Sequence, residues 1–374
     1  MEELLINGPI NAVRLEGTIN NIHKVLYIFM DVHINVSNQT ICDNFNSLDF
    51  TQYLIKMFKK STKRIDLFSE ISQPDIQAKA RPYRGRYIDE LNRYMKAKYK
   101  NNIIHPNISV HYIDIRDIIK KEVNIILDNI EDASIKFSDN NSQNNLNNMI
   151  ALYNKLYDEL TIIYDYLFNN KKSDNNKLNN ILDKIINKYK YAQSKTKLAH
   201  ILDIVKKYFN HLFNTIDKIK ELINNSINFI LKSSNKLILQ HYDNMKRYSY
   251  GHNINSFIEF YYKLLMYNNE LEILCAMCFA LLVDMFFLRR FVDKNDITNG
   301  VIYTGIAHSV NYIYNLVKYF DFDITHISYS SMKDLSEVKT YIKNHKYDHN
   351  IEELFFPPNL VQCCNLSKFP LYFE

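Results

Sequence analysis

A long segment of this chain contains no helix-breaking residues, and this limits the folds that the chain can adopt. No glycine occurs between Gly85 and Gly251, and no proline occurs between Pro106 and Pro357. Glycine and proline both destabilise the interior of a helix, so a long segment without them can form long, uninterrupted helices. Apolar residues in this segment also recur with the helical period. We therefore predict an α-helical insertion at residues 121–250.

The sequence on either side of this insertion alternates between strand-like and helix-like segments. Before it lie the strand KVLYIFMDVHI, the amphipathic helix DFTQYLIKMFKKS and the strand RIDLFSE. After it lie the strand VIYTGIAH, the helix SVNYIYNLVKYF and the short strand FDITHISY. This alternation is typical of a parallel sheet covered by helices. The predicted fold class is α/β, with a mainly parallel central sheet flanked by helices. The sheet is divided between residues 1–120 and residues 251–374, the latter ending in an extended tail.

Charge and hydropathy exclude several classes of protein. The chain has 46 Lys and Arg residues against 41 Asp and Glu residues, and its net charge of +5 does not indicate a nucleic-acid-binding protein. The N-terminus carries acidic residues early and has no apolar signal-peptide core. No run of eighteen apolar residues is present, and Asp284 interrupts the most apolar segment, ILCAMCFALLVDMFFL. We therefore predict a buried helix there and no membrane span.

Cysteine usage and compositional bias are both informative about the cellular compartment of the protein. The five cysteines are too few and too scattered for a disulfide framework, which favours a reducing compartment. Two of them have C-x-x-C spacing inside an apolar helix and are predicted to be core thiols, and the vicinal pair near the C-terminus has no partner that spacing reveals. Richness in Tyr, Ile, Asn and Lys is a bias seen in large DNA viruses and some intracellular parasites. The predicted location is intracellular, in host cytoplasm or in a virion. The cysteines are Cys42, Cys275, Cys278, Cys363 and Cys364.

Polar side chains stand at the ends of three predicted strands. The first strand ends at Asp31 and His33, the second at Glu70, and the late strand at His308, three residues after Gly305. The carboxyl ends of parallel strands meet at one edge of the sheet, where ligands bind in the crevice. We therefore expect His33, Glu70 and His308 to converge. Asp31 would share a strand face with His33, because side chains two residues apart point the same way.

Two imidazoles and a carboxylate are a suitable ligand set for a divalent metal ion. We predict His33, Glu70 and His308 as ligands, with Asp31 as a further ligand or as an orienter of His33. A metal ion held in this way lowers the pKa of its bound water and produces hydroxide at neutral pH. Without a metal ion, the same groups can act as general base and general acid. In either case Glu70 is a ligand or the general base.

The sequence segments around these strand ends resemble the motifs of a known superfamily. LYIFMDVHI resembles its opening motif, DLFSE the strand that carries its Glu, and YTGIAHSVNYIYNLVKYFDFDIT its closing Gly-x-x-His strand, helix and final strand. The superfamily contains the erythromycin esterase, TraB/TIKI, ChaN-like and Pasteurella-toxin C-terminal domains. The resemblance covers residues 20–120 and 255–330, and it implies hydrolase chemistry, in some members metal-dependent. The opening motif usually has glycine three residues before its His, where this chain has Met30.

Several charged residues have two interpretations. Arg289 and Arg290 follow the apolar helix and could enter the crevice to stabilise charge on a substrate. Alternatively, they cap a solvated helix end. The loop KARPYRGRY, at residues 79–87, could bind phosphate or could be an ordinary surface loop. Asp284 could support the site or make a local polar contact.

Two classes of function are consistent with these residues. The first is a hydrolase, with or without a metal ion, acting on a small-molecule or peptide substrate. The second is a non-catalytic interaction or virion-associated protein that retains the fold, favoured by Met30 and by an insertion that could bind a partner protein. The spacing of His33, Glu70 and His308 distinguishes them. Side chains more than ~8 Å apart could not share one ion with bonds of about 2 Å.

Overall fold

The chain forms two compact units in a computed structural model. The residues that the structure describes are 3–35, 41–71, 85–100, 106–139, 142–230, 256–347 and 349–373. The first unit comprises Met1–Ile115, Tyr189–Leu198 and Val283–Glu374, and the second comprises Arg116–Lys188 and Ala199–Leu282. The first unit holds the strands of the described residues, and the second is helical.

The strands of the described residues form two sheets. The strands are β1 (Leu5–Asn7), β2 (Asn11–Ile19), β3 (Ile22–Asp31), β4 (Leu48–Asp49), β5 (Ile65–Ser69), β6 (Ile108–Tyr112), β7 (Asn299–Gly305), β8 (Asp323–Ile327) and β9 (Cys363–Asn365). The larger sheet has the order β6-β5-β7-β3-β2-β8, and the smaller has the order β4-β1-β9. In the larger sheet β6, β5, β7 and β3 are parallel; β2 pairs antiparallel with β3, and β8 at the edge pairs antiparallel with β2. The predicted fold class is confirmed.

The helices fall into two groups. They are α1 (Phe50–Lys60), α2 (Tyr87–Lys100), α3 (Arg116–Ile119), α4 (Lys121–Asp139), α5 (Gln143–Asn169), α6 (Asn176–Ile186), α7 (Ala192–Ile230), α8 (Ser256–Asp293), α9 (Ile306–Phe320), α10 (Leu335–Asn344) and α11 (His349–Glu353). Helices α3 to α6 and most of α7 and α8 belong to the helical unit. That unit begins at Arg116 and ends at Leu282, beyond the predicted limits of 121–250. The sequence of α8 is apolar on both sides of Leu282, so it does not indicate where one core ends and the other begins. Residues 231–250 lie outside the described residues.

Helices cover both faces of the larger sheet. On one face Phe29 of β3 packs against Phe50 of α1, with ring centroids 4.9 Å apart. On the other face Phe68 of β5 contacts Phe287 of α8 at 5.0 Å, and Phe287 contacts Tyr312 of α9 at 4.4 Å. Strands that are buried on both faces need apolar side chains at almost every position. This burial explains the unbroken apolar run in β3.

Strand β2 is the main element that the sequence-based prediction missed. It pairs antiparallel with β3 through a two-residue turn at Asn20 and Asn21, whose φ angles are 51° and 63°. Two residues with positive φ are typical of a type I′ hairpin turn, and Asn tolerates this conformation well. The Asn-Asn pair between two strand-like segments is the signal that predicts this hairpin.

Cys42 and Cys363 form a disulfide, with their Cα atoms 4.9 Å apart. The spacing of the cysteines indicated no disulfide framework and revealed no partner for the vicinal pair, but Cys363 of that pair is bonded to Cys42. Local spacing cannot reveal this bond, because its cysteines are 321 positions apart. Cysteine usage consequently no longer favours a reducing compartment. Cys275, Cys278 and Cys364 are free and buried, as predicted for the first two.

One helical segment of the described residues is long and apolar enough, by length and composition alone, to cross a membrane. It is Glu259–Asp293, most of helix α8, and 67% of its most apolar window is buried inside the protein. This burial agrees with the predicted buried helix.

Candidate active site

Three neighbouring strands bring the candidate residues to the carboxyl edge of the larger sheet. In the parallel ladders Asp31 of β3 pairs with Gly305 of β7, and Ser69 of β5 pairs with Tyr303 of β7. Glu70 directly follows β5. The carboxyl ends of β3, β5 and β7 are therefore offset from one another by no more than two residues. Side chains from distant parts of the chain can meet at this edge.

Glu70 lies at the centre of the site, with 7% of its side chain exposed. Its Oε2 accepts hydrogen bonds from Thr304 Oγ1 and from the Gly305 N–H, both at 2.7 Å. His33 Nε2 lies 3.3 Å from the same oxygen, and His308 Nε2 lies 3.5 Å from Oε1. The structure thus brings His33, Glu70 and His308 together, well inside the separation that a shared site requires.

His33 approaches Glu70 from a turn and not along a strand. Strand β3 ends at Asp31, and His33 has a φ of 55°. The predicted sharing of a strand face is therefore incorrect. The turn instead folds His33 back onto Asp31, with Nδ1 2.8 Å from Oδ2 and the His33 N–H donating to Oδ1 at 3.1 Å. A left-handed conformation costs about 1–3 kcal/mol in a non-glycine residue, and these two contacts offset that cost.

His308 lies in the first turn of α9 and not at the end of β7, which stops at Gly305. Asp284 of α8 lies 2.5 Å from His308 Nδ1. The other oxygen of Asp284 accepts a hydrogen bond from Asn311 Nδ2 at 2.6 Å. Asp284 therefore holds the imidazole by Nδ1 and leaves Nε2 directed at Glu70, which gives this buried acid its supporting role.

Gly305 allows the close approach of the central groups. A Cβ atom at this position would lie 3.2 Å from His33 Nε2 and 3.4 Å from Glu70 Oε2. The contact with His33 Nε2 is tighter than an ordinary van der Waals contact, whereas the contact with Glu70 Oε2 is at the lower end of the ordinary range. A side chain at position 305 would therefore push the His33 imidazole away from its present position.

Five side chains together form a continuous series of acids and imidazoles, which we name the acid–imidazole chain. Each histidine is held at Nδ1 by an aspartate and directs Nε2 at the shared glutamate. Neighbouring members of the series lie 2.5 to 3.5 Å apart. In order, the members are Asp31, His33, Glu70, His308 and Asp284.

The protonation states of two members follow from these contacts. Burial alone lowers the pKa of His33, but its hydrogen bonds to Asp31 and Glu70 outweigh burial and raise the pKa to about 9. Burial alone raises the pKa of Glu70, but the hydrogen bond to His33 and the charges of His308 and His33 outweigh it and hold this pKa well below its usual range. At neutral pH the site therefore contains an imidazolium at His33 and a carboxylate at Glu70.

The raised pKa of His33 predicts a pH dependence of stability. The folded-state pKa of His33, about 9, lies above the unfolded value of 6.5. Its contribution to the free energy of unfolding is therefore complete below about pH 6.5 and is lost as the pH rises through 9. The expected loss is about 3 kcal/mol. Urea denaturation at pH 6 and pH 10 measures it, and the wild-type protein should lose more stability than His33→Gln. This comparison removes the effect of Lys24, whose pKa burial lowers to about 8. Equal losses in the two proteins would contradict the prediction.

Arg289 and Arg290 lie at the opposite edge of the sheet, so the prediction that they enter the crevice needs correction. The charge of Arg289 interacts with Asp293, and that of Arg290 interacts with Asp66 and Asp296. Asp66 is the second residue of β5, about 10 Å from the carboxyl end of that strand at ~3.3 Å per residue. Helix α8 ends at Asp293, shortly before β7 begins, and this direction carries both arginines away from the site.

Among the described residues, the charge of Arg86 interacts with the site. Its pKa is raised, first by its hydrogen bond to Asp89 and also by the carboxylates of Asp31 and Glu70. Its guanidinium donates to both oxygens of Asp89 at 3.1 Å. Arg86 belongs to the segment at residues 79–87, for which the sequence left both a phosphate-binding loop and an ordinary surface loop open, and residues 79–84 of it lie outside the described residues.

The predicted metal ligands form hydrogen bonds with one another. Within the part of the chain that the structure describes, no three His, Cys, Asp or Glu side chains are arranged to hold a metal ion. Asp31, predicted as a further ligand, lies behind His33 and contacts its Nδ1. The donor types suit a divalent cation. As the side chains stand, however, they form a hydrogen-bonded series and not a completed coordination shell.

Fold and site together define an α/β protein with a helical insertion and a buried series of acids and imidazoles at the carboxyl edge of its sheet. The chain belongs to the Family of unknown function (DUF5847), whose model matches residues 4–374.

The curated relatives are viral. Uncharacterized protein R706 of Acanthamoeba polyphaga mimivirus is 35% identical, over 99% of this chain and 97% of its own length. Uncharacterized protein R161 of the same virus is 29% identical, over 99% of this chain and 98% of its own length. No solved structure matches the chain. The viral relatives agree with the viral origin that the composition indicated.

Proposed function

We propose that this protein is a hydrolase whose catalytic centre is the acid–imidazole chain, acting on a small-molecule or peptide substrate. The observation that carries the proposal is the approach of His33 and His308 to opposite oxygens of Glu70, at 3.3 and 3.5 Å. Ordinary core histidines need one or two hydrogen-bond partners each, and do not need to share a carboxylate. The resemblance of the same strand ends to the erythromycin esterase and TraB/TIKI superfamily supports this chemistry.

The proposal gives each histidine a different role, and the contacts of each support that role. Asp284 lies at His308 Nδ1, so in the neutral form of His308 the proton is held at Nδ1, and Nε2 is the basic nitrogen that serves as general base. His33 is an imidazolium at neutral pH, so it donates a proton or stabilises negative charge that develops on the substrate. It thereby supplies the positive charge that the sequence assigned to Arg289 or Arg290.

The proposed attacking water lies beside His308 Nε2 and Glu70 Oε1, within hydrogen-bond distance of both atoms. When Nε2 carries no proton, two lone pairs face each other over 3.5 Å and repel each other. A water molecule that donates one hydrogen to each atom removes this repulsion. The same water is then polarised by two acceptors, as a general-base mechanism requires.

A metal-assisted form of the proposal uses the same side chains. His33, His308 and Glu70 would hold the ion, and each histidine already has the carboxylate at its other ring nitrogen that is typical of metal-bound histidines. A bound divalent ion would lower the pKa of its water and supply hydroxide at neutral pH. Metal content of the purified protein tests this form separately from the acid–base form.

The principal test is the hydrolytic activity of His308→Ala. Purified protein is assayed with carboxylic ester, phosphoester and peptide substrates, and kcat/KM is compared with that of His23→Ala, which removes an exposed histidine. Loss of a general base is expected to lower kcat/KM by roughly 10²–10⁴-fold. The control should keep full activity. Equal activity and equal metal content in the two variants would contradict the assignment.

The alternative is a non-catalytic interaction or virion-associated protein, located in host cytoplasm or in the virion. It is favoured by large apolar side chains that the helical unit exposes and that could contact a partner protein. Absence of hydrolysis of every substrate class, together with recovery of the chain from purified virions, would favour this alternative. Among the described residues, these exposed side chains include Ile125, Ile135, Tyr262, Met266, Ile273 and Met277.

A further inference from the structure

We infer that Gln362 is a positioning residue of the site and that the Cys42–Cys363 disulfide holds it there. This inference rests on the proposed function of the acid–imidazole chain. Gln362 lies in the C-terminal tail, 331 positions after Asp31, yet its side-chain amide contacts that carboxylate directly.

Two hydrogen bonds hold the Gln362 side chain in place. Its Nε2 donates to Asp31 Oδ1 and to the Gly8 carbonyl oxygen, both at 2.7 Å, and the residue is 1% exposed. Both partners are acceptors, so only the orientation that directs the NH₂ group at them satisfies the contacts. The Gly8 N–H also donates to the Gln362 carbonyl oxygen at 3.1 Å, which fixes the backbone.

This amide sets the plane of the Asp31 carboxylate. Oδ1 accepts from Gln362 and from the His33 N–H, which leaves Oδ2 directed at His33 Nδ1. Asp31 is 1% exposed, so solvent has little access to replace a lost donor. Without Gln362, the carboxylate can rotate and the contact with the imidazole weakens.

The disulfide joins the two segments that hold this arrangement. Cys363 directly follows Gln362 and pairs with Asn7 in the smaller sheet. Cys42 follows the His33 turn in the sequence, and its N–H donates to Asn7 Oδ1 at 2.9 Å. Reduction by a dithiol breaks the S–S bond, yields two thiols and converts the dithiol to its own disulfide. Both segments then lose their covalent link, so the position of Asp31 becomes sensitive to redox conditions.

The test observes the Nδ1–H proton of His33 by NMR of protein labelled with ¹⁵N-histidine. The signal is assigned by its absence in His33→Gln. We expect it in the wild-type protein and expect its loss in Gln362→Leu. The matched control is Asn11→Leu, because Asn11 is a buried amide that bridges the carbonyl oxygens of Tyr329 and Phe355 without contacting Asp31. Persistence of the signal in Gln362→Leu would overturn the positioning role.

A second measurement needs no substitution in the site. Dithiothreitol added to the wild-type protein should abolish or broaden the His33 signal, and re-oxidation should restore it. Cys42→Ser should lack the sharp signal without reductant and should not respond to reductant. An unchanged signal in the reduced wild-type protein would overturn the role of the disulfide. Absence of hydrolysis by the wild-type protein would contradict the proposed function and leave these NMR outcomes intact.

Discussion

Glu70→Gln is expected to lower the free energy of unfolding by about 3 kcal/mol, which is large for a substitution that preserves shape. Gln can still accept hydrogen bonds from Thr304 and from the Gly305 N–H. It removes the negative charge facing His33, and a buried ion left without its partner costs about 3–5 kcal/mol. We expect the lower end of this range because Asp31 still contacts His33. Urea denaturation at pH 7 measures the difference.

The control for this substitution is Glu221→Gln, which removes an exposed carboxylate from helix α7. Such surface changes usually alter stability by no more than about 0.5 kcal/mol. The cost of Glu70→Gln should also shrink at pH 10, where His33 is neutral and needs no counter-charge. A cost that stays the same at both pH values would show that shape, and not charge, explains the effect.

Reduction of the Cys42–Cys363 disulfide is expected to lower the free energy of unfolding by about 2–5 kcal/mol. The bond closes a loop spanning 321 positions, and cross-links that close long loops restrict the unfolded chain most. Chemical denaturation with and without dithiothreitol measures the loss. Because the chain forms two compact units, it must be followed in the transition of the unit that contains the sheet.

Two controls accompany the reduction experiment. Cys42→Ser should already have the lower stability, and reductant should not lower it further. The unfolded, unreduced wild-type protein should show three reactive thiols, from Cys275, Cys278 and Cys364, against five after reduction. Five thiols before reduction would show that the bond is absent.

Much of the fold could be predicted from local sequence. Runs of β-formers predicted strands β3, β5 and β7, and their burial on both faces explains why period-2 alternation is weak there. Glu70 was found because a carboxylate directly after a buried strand is conspicuous. The hairpin that joins β2 to β3 was missed although Asn20 and Asn21 carry its signal.

The geometry of the site was less predictable from the sequence than the fold. His33 was placed on a strand, but it lies in a left-handed turn that local pattern does not distinguish from strand continuation. His308 was placed at a strand end, but it lies in a helix. Arg289 and Arg290 were placed at the wrong edge, because their position depends on the direction in which α8 runs relative to the sheet.

Local sequence is enough to predict that helices and strands alternate around a helical insertion and that polar groups follow three of the strands. Side-chain direction repeats every 2 or 3.6 residues, so this information is local and readable. The contacts of Asp284 with His308, of Gln362 with Asp31 and of Cys42 with Cys363 could not be predicted from local sequence. The first depends on how α8 packs against α9, and the other two depend on the path of the tail. In those two the partners are more than 300 positions apart, and packing of this kind leaves no periodic trace in the chain.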